Sequence, residues 1–356
     1  MDLKRRIEAF AKLSRYLEKA DDYSFNGNND GNEVTVRFNR LRDIANNLQQ
    51  YNGWFDKENV FYALKSLGTS LKPEKLQKWA AGYTEKLNAV NSPKTVAVVM
   101  AGNVPAVGFH DFLTVLMSGN SILIKLSSDD DKLLPAISNL LIAIEPGFKP
   151  FISFSDGHLK NFDAIIATGS NNTSRYFEYY FGKYKNIIRK NRNGVALLTG
   201  KETTEELREL SKDIFLYYGL GCRNVSKLFV PQNYDFKPLL DVLSENRTIT
   251  GNHKYFNNYE YNKAIFLVNK REHLDSGNLL LNEDENFASP VSVLHYEYYK
   301  DETQVRNRLT VNSGKIQCIV SNAGIVDKEV PLGKSQSPEP WDYADGVDTM
   351  EFLLSL

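Results

Sequence analysis

The sequence predicts an α/β protein, with a doubly wound parallel sheet, a second α/β unit and a helical region in front of both. Three observations predict it. Short unbroken apolar runs rich in Val and Ile recur from residue 95 onward, stretches of helical length separate them, and the first ninety residues carry the spacing of amphipathic helices. A strand buried on both faces of a parallel sheet reads as a continuous apolar run, and strands alternating with helices imply crossover units.

Leu3, Ile7, Phe10, Leu13 and Leu17 recur at intervals of three and four, so residues 1–20 form a helix with one apolar face. The turn formers of DDYSFNGNNDGN (21–32) end it. VRFNRLRDIANNLQQY and KPEKLQKWAAGYTEKL continue the helical pattern toward residue 90, punctuated by Gly68 and Pro73. TVAVVMAG (95–102) is the first buried strand; SILIKL (121–126), FDAIIATGS (162–170), IIRKNRNGVALLTG (187–200) and SKLFVP (226–231) repeat its texture. FHDFLTVLMSG and KLLPAISNLLIAI are the intervening helices. KAIFLVN (263–269), VSVLHYEYY (291–299) and KIQCIVSN (315–322) supply later strands.

A chain of 356 residues with 42% hydrophobic content has enough apolar surface for the cores of two or three domains. Its 43 basic and 44 acidic residues nearly cancel, so no overall field attracts nucleic acid or an anionic membrane. The start, MDLKRRIEAF, lacks the apolar stretch of a signal peptide, and two cysteines make no disulfide framework, so the chain reads as cytoplasmic. Residues 95–126 are too often interrupted, at Asn103, Pro105, His110, Asp111 and Asn120, to span a membrane. No CxxC or HxxxH spacing is present, so no metal site is expected.

Several segments carry chemistry-bearing residues at strand ends. After TVAVVMAG comes the turn holding Asn103, whose side-chain amide suits an oxyanion as well as it suits an ordinary turn. Lys125 ends the next strand, where parallel sheets deliver residues to a ligand crevice; a solvated edge lysine is the plain alternative. In ATGSNNTSRYF, Gly169 and Ser170 precede a helix whose N-terminus suits a pyrophosphate. Cys222 stands in YYGLGCRNV between Gly219, Gly221 and Arg223. A lone cysteine is usually an inert core filler, but the glycines permit close backbone approach and a neighbouring cation favours the thiolate. Cys318, flanked by apolar residues in KIQCIVSN, is expected in the core. In DENFASPVSVLHY, Glu285 suits ribose hydroxyls and Phe287 a flat nicotinamide ring, with a loop acid and a core aromatic as the alternatives.

Taken in order, these segments resemble the aldehyde dehydrogenase superfamily, and within it the LuxC-like acyl-CoA reductases. The match runs from about residue 95 to the C-terminus. Asn103-Val104-Pro105 resembles the superfamily's Asn-x-Pro turn, Lys125 its strand-ending lysine, and Gly169-Ser170 its pyrophosphate turn. Gly219-Leu220-Gly221-Cys222 resembles its Gly-Gln-x-Cys nucleophile turn, ENFASPV (285–291) its Glu-x-Phe-Gly-Pro-Val motif, and WDYADGVDTMEFLL the LuxC-like C-terminus. Two departures stand out. Leu197 in LLTGK (197–201) occupies the place of the general-base glutamate of hydrolytic relatives, and ENFASPV has one residue more than the family spacing, which leaves the role of Glu285 open.

The resemblance implies a helical N-terminal region (1–90), a Rossmann-like nicotinamide cofactor domain (91–196), a catalytic α/β domain (197–325) and a C-terminal segment (326–356) returning to the cofactor domain. It implies Cys222 as nucleophile and Asn103 as oxyanion donor. Lys125, Ser127, Ser128, Gly169, Ser170, Glu285 and Phe287 become the cofactor residues. The small hydroxyls after Lys125 favour NADPH over NADH, against the acidic run at 129–131. The implied substrate is an acyl-CoA or an acyl-protein thioester, reduced to a fatty aldehyde through an acyl-cysteine. An acyl-protein synthetase and a second copy of the chain are the implied partners. A NAD(P)-dependent aldehyde dehydrogenase and a cofactor-independent thiol acyltransferase or hydrolase remain alternatives.

Overall fold

The structure, a computed structural model, describes residues 1–25, 31–89 and 92–356. Residues 26–30 of the turn-rich segment, and the boundary drawn at 90 and 91, lie outside the described residues. The chain divides into two compact units, Met1–Lys190 with Ser337–Leu356, and Asn191–Gln336.

The first unit opens with α1 (Leu3–Glu18), α2 (Asn32–Asn47), α3 (Lys57–Ser70), α4 (Pro73–Ala81) and α5 (Thr84–Ala89). As the spacing predicts, Phe10, Leu13 and Leu17 of α1 are buried. The α/β portion runs β1 (Thr95–Val99), α6 (Phe109–Ser118), β2 (Ser121–Lys125), α7 (Leu133–Ile144), β3 (Ile152–Phe154), β4 (Ala164–Thr168), α8 (Asn171–Phe181) and β5 (Lys185–Arg189). The five strands lie in the order β3-β2-β1-β4-β5, and every pairing is parallel. Alternate residues of β1 feed two cores. Val96 and Val98 join a cluster with the N-terminal helices, α6 and α7, while Ala97 faces the other side with Ile165, Phe177 and Phe181. That two-sided burial is the reason the strand reads as an unbroken apolar run.

Arg6 ties α1 to this sheet layer. Its buried guanidinium donates to the Met117 carbonyl at 2.6 Å, at the C-terminal end of α6, where a cation satisfies both the open carbonyl and the helix dipole. At the other edge, Arg189 makes a bidentate pair with Asp111 of α6 and donates to Thr349 of α13 (Thr349–Leu354). The C-terminal helix thereby closes the first unit.

The second unit runs β6 (Asn193–Leu197), α9 (Thr204–Phe215), β7 (Val225–Pro231), α10 (Lys237–Glu245), α11 (His253–Val268), β8 (Leu274–Asp275), β9 (Leu280–Glu283), β10 (Val293–Tyr299), α12 (Glu302–Val311) and β11 (Ile316–Val320). Its sheet has the order β11-β6-β7-β10-β9-β8, parallel except at the β8 edge. Two strand expectations are overturned. IIRKNRNGVALLTG is not one run but two strands, β5 and β6, in different sheets. KAIFLVN is the last part of α11, where Tyr255, Tyr259, Asn262 and Phe266 form the buried stripe at helical spacing and Leu267 and Val268 face outward. A short apolar run does not separate strand from helix without the residues before it.

Among the described residues no helix is long and apolar enough to cross a membrane.

Candidate active site

In the first unit the strand order reverses between β1 and β4, since β2 and β3 lie to one side and β4 and β5 to the other. Ligands of open parallel sheets bind at the carboxyl ends of the strands at such a point. Lys125 ends β2, and the turns that leave β1 and β4 carry Asn103 and Gly169, so the structure brings these sequence-chosen positions to one sheet edge. Asn103 and Lys125 are exposed. Gly102 needs its bare backbone, because a Cβ there would lie 2.7 Å from Ser127 Oγ. At Gly169 a Cβ would lie 2.9 Å from the Phe177 ring. Both glycines are therefore required by close packing of these turns against neighbouring side chains. Ser170 caps α8, accepting the Thr173 N–H at 3.2 Å, and the helix N-terminus supplies the positive end of its dipole. Ser127 Oγ accepts the Asp129 N–H at 3.2 Å, and Ser128 is exposed. These groups fit a dinucleotide.

The Asn103 turn is held by a residue that sequence reasoning passed over. Ala106 sits in the left-handed region at φ 53° and its N–H donates to the buried Asp130 carboxylate at 2.7 Å. Burial pushes the Asp130 carboxyl up to about 6, against the hydrogen bonds from the Ala106 and Leu133 backbone. A buried aspartate within a surface-looking DDD run leaves no local sequence signal.

The Cys222 turn lies between α9 and β7. Tyr217, Tyr218 and Gly219 all take positive φ, at 51°, 58° and 76°. Left-handed geometry is unfavourable for a tyrosine and persists only where surroundings impose it. Asn224 imposes it. Its buried side chain accepts the Gly221 N–H at 2.8 Å and donates to the Asp213 and Leu216 carbonyls, each at 2.9 Å. Gly194 of β6 supplies the space, since a Cβ there would fall 2.6 Å from the carbonyl oxygens of Arg223 and Asn224. The product is a turn with Cys222 exposed. Arg223 donates to the Ser335 carbonyl, and Asp213 accepts the N–H groups of Gly333 and Ser335 at 2.6 and 2.9 Å. Cys318, by contrast, is buried in β11, and burial pushes its thiol up to about 11, against the Arg223 charge.

Leu197 is buried at the end of β6. The nearest carboxylate along the chain, Glu202, accepts the Thr199 N–H and hydroxyl at 2.6 and 2.8 Å and the Gly200 N–H at 3.0 Å. It holds the LLTGK turn.

Glu285 is exposed in the segment between β9 and β10. Phe287 is turned inward, into a core cluster with Val195, Leu197 and Phe229. The sequence expects that ring against a nicotinamide; the structure gives it to the core of its own unit, with Lys227 Nζ 5.2 Å from its centroid. Beneath the segment lies a polar bed that the sequence reading missed. Lys227 of β7 and His295 of β10 are cross-strand partners, and Glu297, two residues on, shares their face. Glu297 pairs with Lys227 and with Arg308 of α12. Burial would raise the Glu297 carboxyl, but the hydrogen bonds of Arg308 and Lys227 outweigh it and hold it low. Burial lowers the Lys227 ammonium and the His295 imidazole.

A family model of the acyl-CoA reductase LuxC matches residues 19–246, well over half of the chain. The chain belongs to the LuxC acyl-CoA reductase family. It is an oxidoreductase of the aldehyde-related class. The fold is that of aldehyde dehydrogenases. Aldehyde dehydrogenase 21 of Physcomitrella patens, solved with succinate, superposes with a TM-score of 0.62 at 12% identity, covering 98% of this chain and 87% of that one. An oxidoreductase from Marinobacter aquaeolei gives 0.62 at 11% identity, covering 96% and 80%. Lactaldehyde dehydrogenase from Escherichia coli gives 0.58 at 12%, covering 91% and 77%. No curated protein matches the chain by sequence.

Proposed function

We propose that this LuxC-family protein reduces a fatty acyl thioester, acyl-CoA or acyl-protein, to the aldehyde through an acyl-Cys222 intermediate, with NADPH as reductant. The observation that carries the reading is the exposed Cys222 in a turn strained at Tyr217 and Tyr218 and locked by Asn224. Its thiolate attacks the thioester carbonyl, and a carbon–sulfur bond forms as the carbonyl π pair moves onto oxygen. The Cys222 backbone N–H and the Asn103 amide are the proposed donors to that oxyanion, at about 3 kcal/mol for each donor in comparable sites. Collapse restores the carbonyl and expels the carrier thiolate, leaving the acyl group on Cys222. Reduced nicotinamide, when bound, would supply the hydride that reduces this thioester to a hemithioacetal oxyanion on Cys222. That oxyanion collapses to the aldehyde as its carbon–sulfur bond breaks and Cys222 leaves as thiolate.

Two features of this chain support reduction over hydrolysis. Leu197 offers no base for water, and the Glu202 carboxylate is committed to Thr199 and Gly200. For the cofactor, Lys125, Ser127 and Ser128 are the proposed partners of an adenosine phosphate, Gly169 and Ser170 of the pyrophosphate, and Glu285 of a ribose hydroxyl. The test is nicotinamide absorbance in the presence of a long-chain acyl-CoA, with Cys222→Ala alongside. Consumption of NADPH ahead of NADH, lost in the variant, is expected. Acylation of Cys222 seen by mass spectrometry without NADPH oxidation would overturn the reductase reading in favour of an acyltransferase.

A further inference from the structure

The segment that carries Glu285 leaves the β9 ladder after the Asp284 N–H, which donates to the Tyr296 carbonyl at 3.1 Å, and from there each backbone carbonyl from 284 to 287 receives a side-chain donor. Lys227 Nζ donates to the Asp284 carbonyl at 2.8 Å and Arg308 Nη2 to that of Glu285 at 2.9 Å. His295 Nδ1 lies 3.0 Å from the Asn286 carbonyl, and Ser226 Oγ donates to that of Phe287 at 2.8 Å. Ser226 reaches it because the register of β6 against β7 slips there: Gly194 faces Val225 and Val195 faces Lys227, so Ser226 is the extra residue of a bulge, a device that re-aims a side chain. The Asp284 carboxylate is itself pinned by Arg271 and by the Asn286 N–H, the latter at 2.8 Å.

Lys227 is the costly member. Its side chain is 0% exposed and its ammonium lies 5.2 Å from the Phe229 and Phe287 centroids, with Glu297 as counter-ion. A buried ion pair is no better for stability than well-packed apolar residues of similar volume, so stability alone does not account for it. What it adds is direction. It fixes the residue immediately before Glu285, while Arg308 joins the Glu285 carbonyl to the same Glu297. The Glu285 side chain is left exposed on a backbone pinned on both sides.

We infer that Lys227, with Arg308, His295 and Ser226, is a positioning set for cofactor binding, holding residues 284–287 so that the Glu285 carboxylate meets a ribose hydroxyl. The inference rests on the reading above that Glu285 contacts the cofactor. A carboxylate on a preorganised backbone accepts a ribose hydroxyl at a lower ordering cost, so loosening the segment weakens cofactor binding without touching acyl transfer.

The test is a double-mutant cycle in the full chain, reading NADPH affinity by fluorescence titration and amide exchange at 285–288 by mass spectrometry. Glu285→Gln alone examines the underlying reading. If it leaves affinity unchanged, Glu285 is no ribose ligand and the inference falls with it. Given a loss in Glu285→Gln, Lys227→Met is expected to weaken NADPH binding by about tenfold, the scale of supporting-shell substitutions. It should speed exchange at 285–288, raise KM for NADPH more than it lowers kcat, and add almost nothing in the Glu285→Gln background. Ser226→Ala, which removes one donor from the same segment, should act in the same direction more weakly if Lys227→Met does not fold. Unchanged affinity in both folded variants, or full additivity with Glu285→Gln, would overturn the positioning role while leaving the reductase reading intact.

Discussion

The turns bearing Asn103 and Cys222 solve the same problem with different chemistry. Each carries non-glycine backbone in the left-handed region, at Ala106 in one and at Tyr217 and Tyr218 in the other, and a buried polar side chain fastens each. At Cys222 the holder is the Asn224 amide, which donates and accepts and has no charge to gain or lose. At Asn103 it is the Asp130 carboxyl, which only accepts when ionised and which burial pushes up to about 6. The Asn224 support is therefore indifferent to pH, and the Asp130 support titrates.

The largest effect expected concerns the cysteine itself. Cys222→Ala should lower NADPH oxidation with acyl-CoA by about a thousandfold or more, as loss of a covalent nucleophile does elsewhere. In the parent protein iodoacetamide should label Cys222 well before Cys318, read by peptide mass spectrometry, because only Cys222 is exposed. Equal labelling would break the contrast between the two thiols. Next comes the support. Asn224→Ala strands the Gly221 N–H and the Asp213 and Leu216 carbonyls, so urea denaturation of the second unit should show a loss of about 3 to 5 kcal/mol. Asn224→Asp should be worse, since a carboxylate would face two carbonyl oxygens.

How much of this was legible in the sequence follows from where the partners lie. The parallel strands were readable because two-sided burial writes an apolar run into each, and the Cys222, Asn103 and Gly169 positions stood out because glycine and proline punctuate strand ends. The supports left no such mark. Asp130 meets Ala106 across 24 residues of chain, and Lys227 meets Asp284 across 57. Asn224 is closer, with acceptors 8 and 11 residues before it, but its hydrogen bonds arise from left-handed geometry that no residue type announces. The end of α11 was misread for a related reason: the buried face is set by Tyr255, Tyr259 and Asn262, which lie before the apolar KAIFLVN run or at its edge.

The pH contrast between the two turns has a definite sign. The Asp130 carboxyl titrates near 3.8 when unfolded and near 6 in the folded protein. A raised folded value contributes stability that is complete below pH 3.8 and is lost as pH rises through 6. Above that range the first unit must hold a buried carboxylate, at a cost on the order of 3 kcal/mol. Asp130→Asn keeps the acceptor for Ala106 and removes the charge. The variant should match the parent near pH 4 and exceed it in stability at pH 8, with thermal denaturation across pH as the measurement. The corresponding difference for Asn224→Ala should be flat over the same range. A flat difference for Asp130→Asn would erase the distinction between the supports.

The smallest effect expected falls on the second cysteine, and it separates packing from chemistry within one turn. Cys318 Sγ lies 3.7 Å from the Arg223 carbonyl, so it touches the Cys222 turn without holding it. The Asn224 side chain and the Leu220 N–H, which donates to the Tyr217 carbonyl at 3.1 Å, help shape the turn, and Gly194 leaves the space for it. Cys318→Ala removes one buried sulfur and a weak donor, a loss of about 1 kcal/mol in urea denaturation. The rate of NADPH oxidation should stay near that of the parent, because the exposure of Cys222 does not depend on the contact. A rate loss approaching that of Cys222→Ala would instead make Cys318 part of the reaction, and the division between one reactive and one structural thiol would fail.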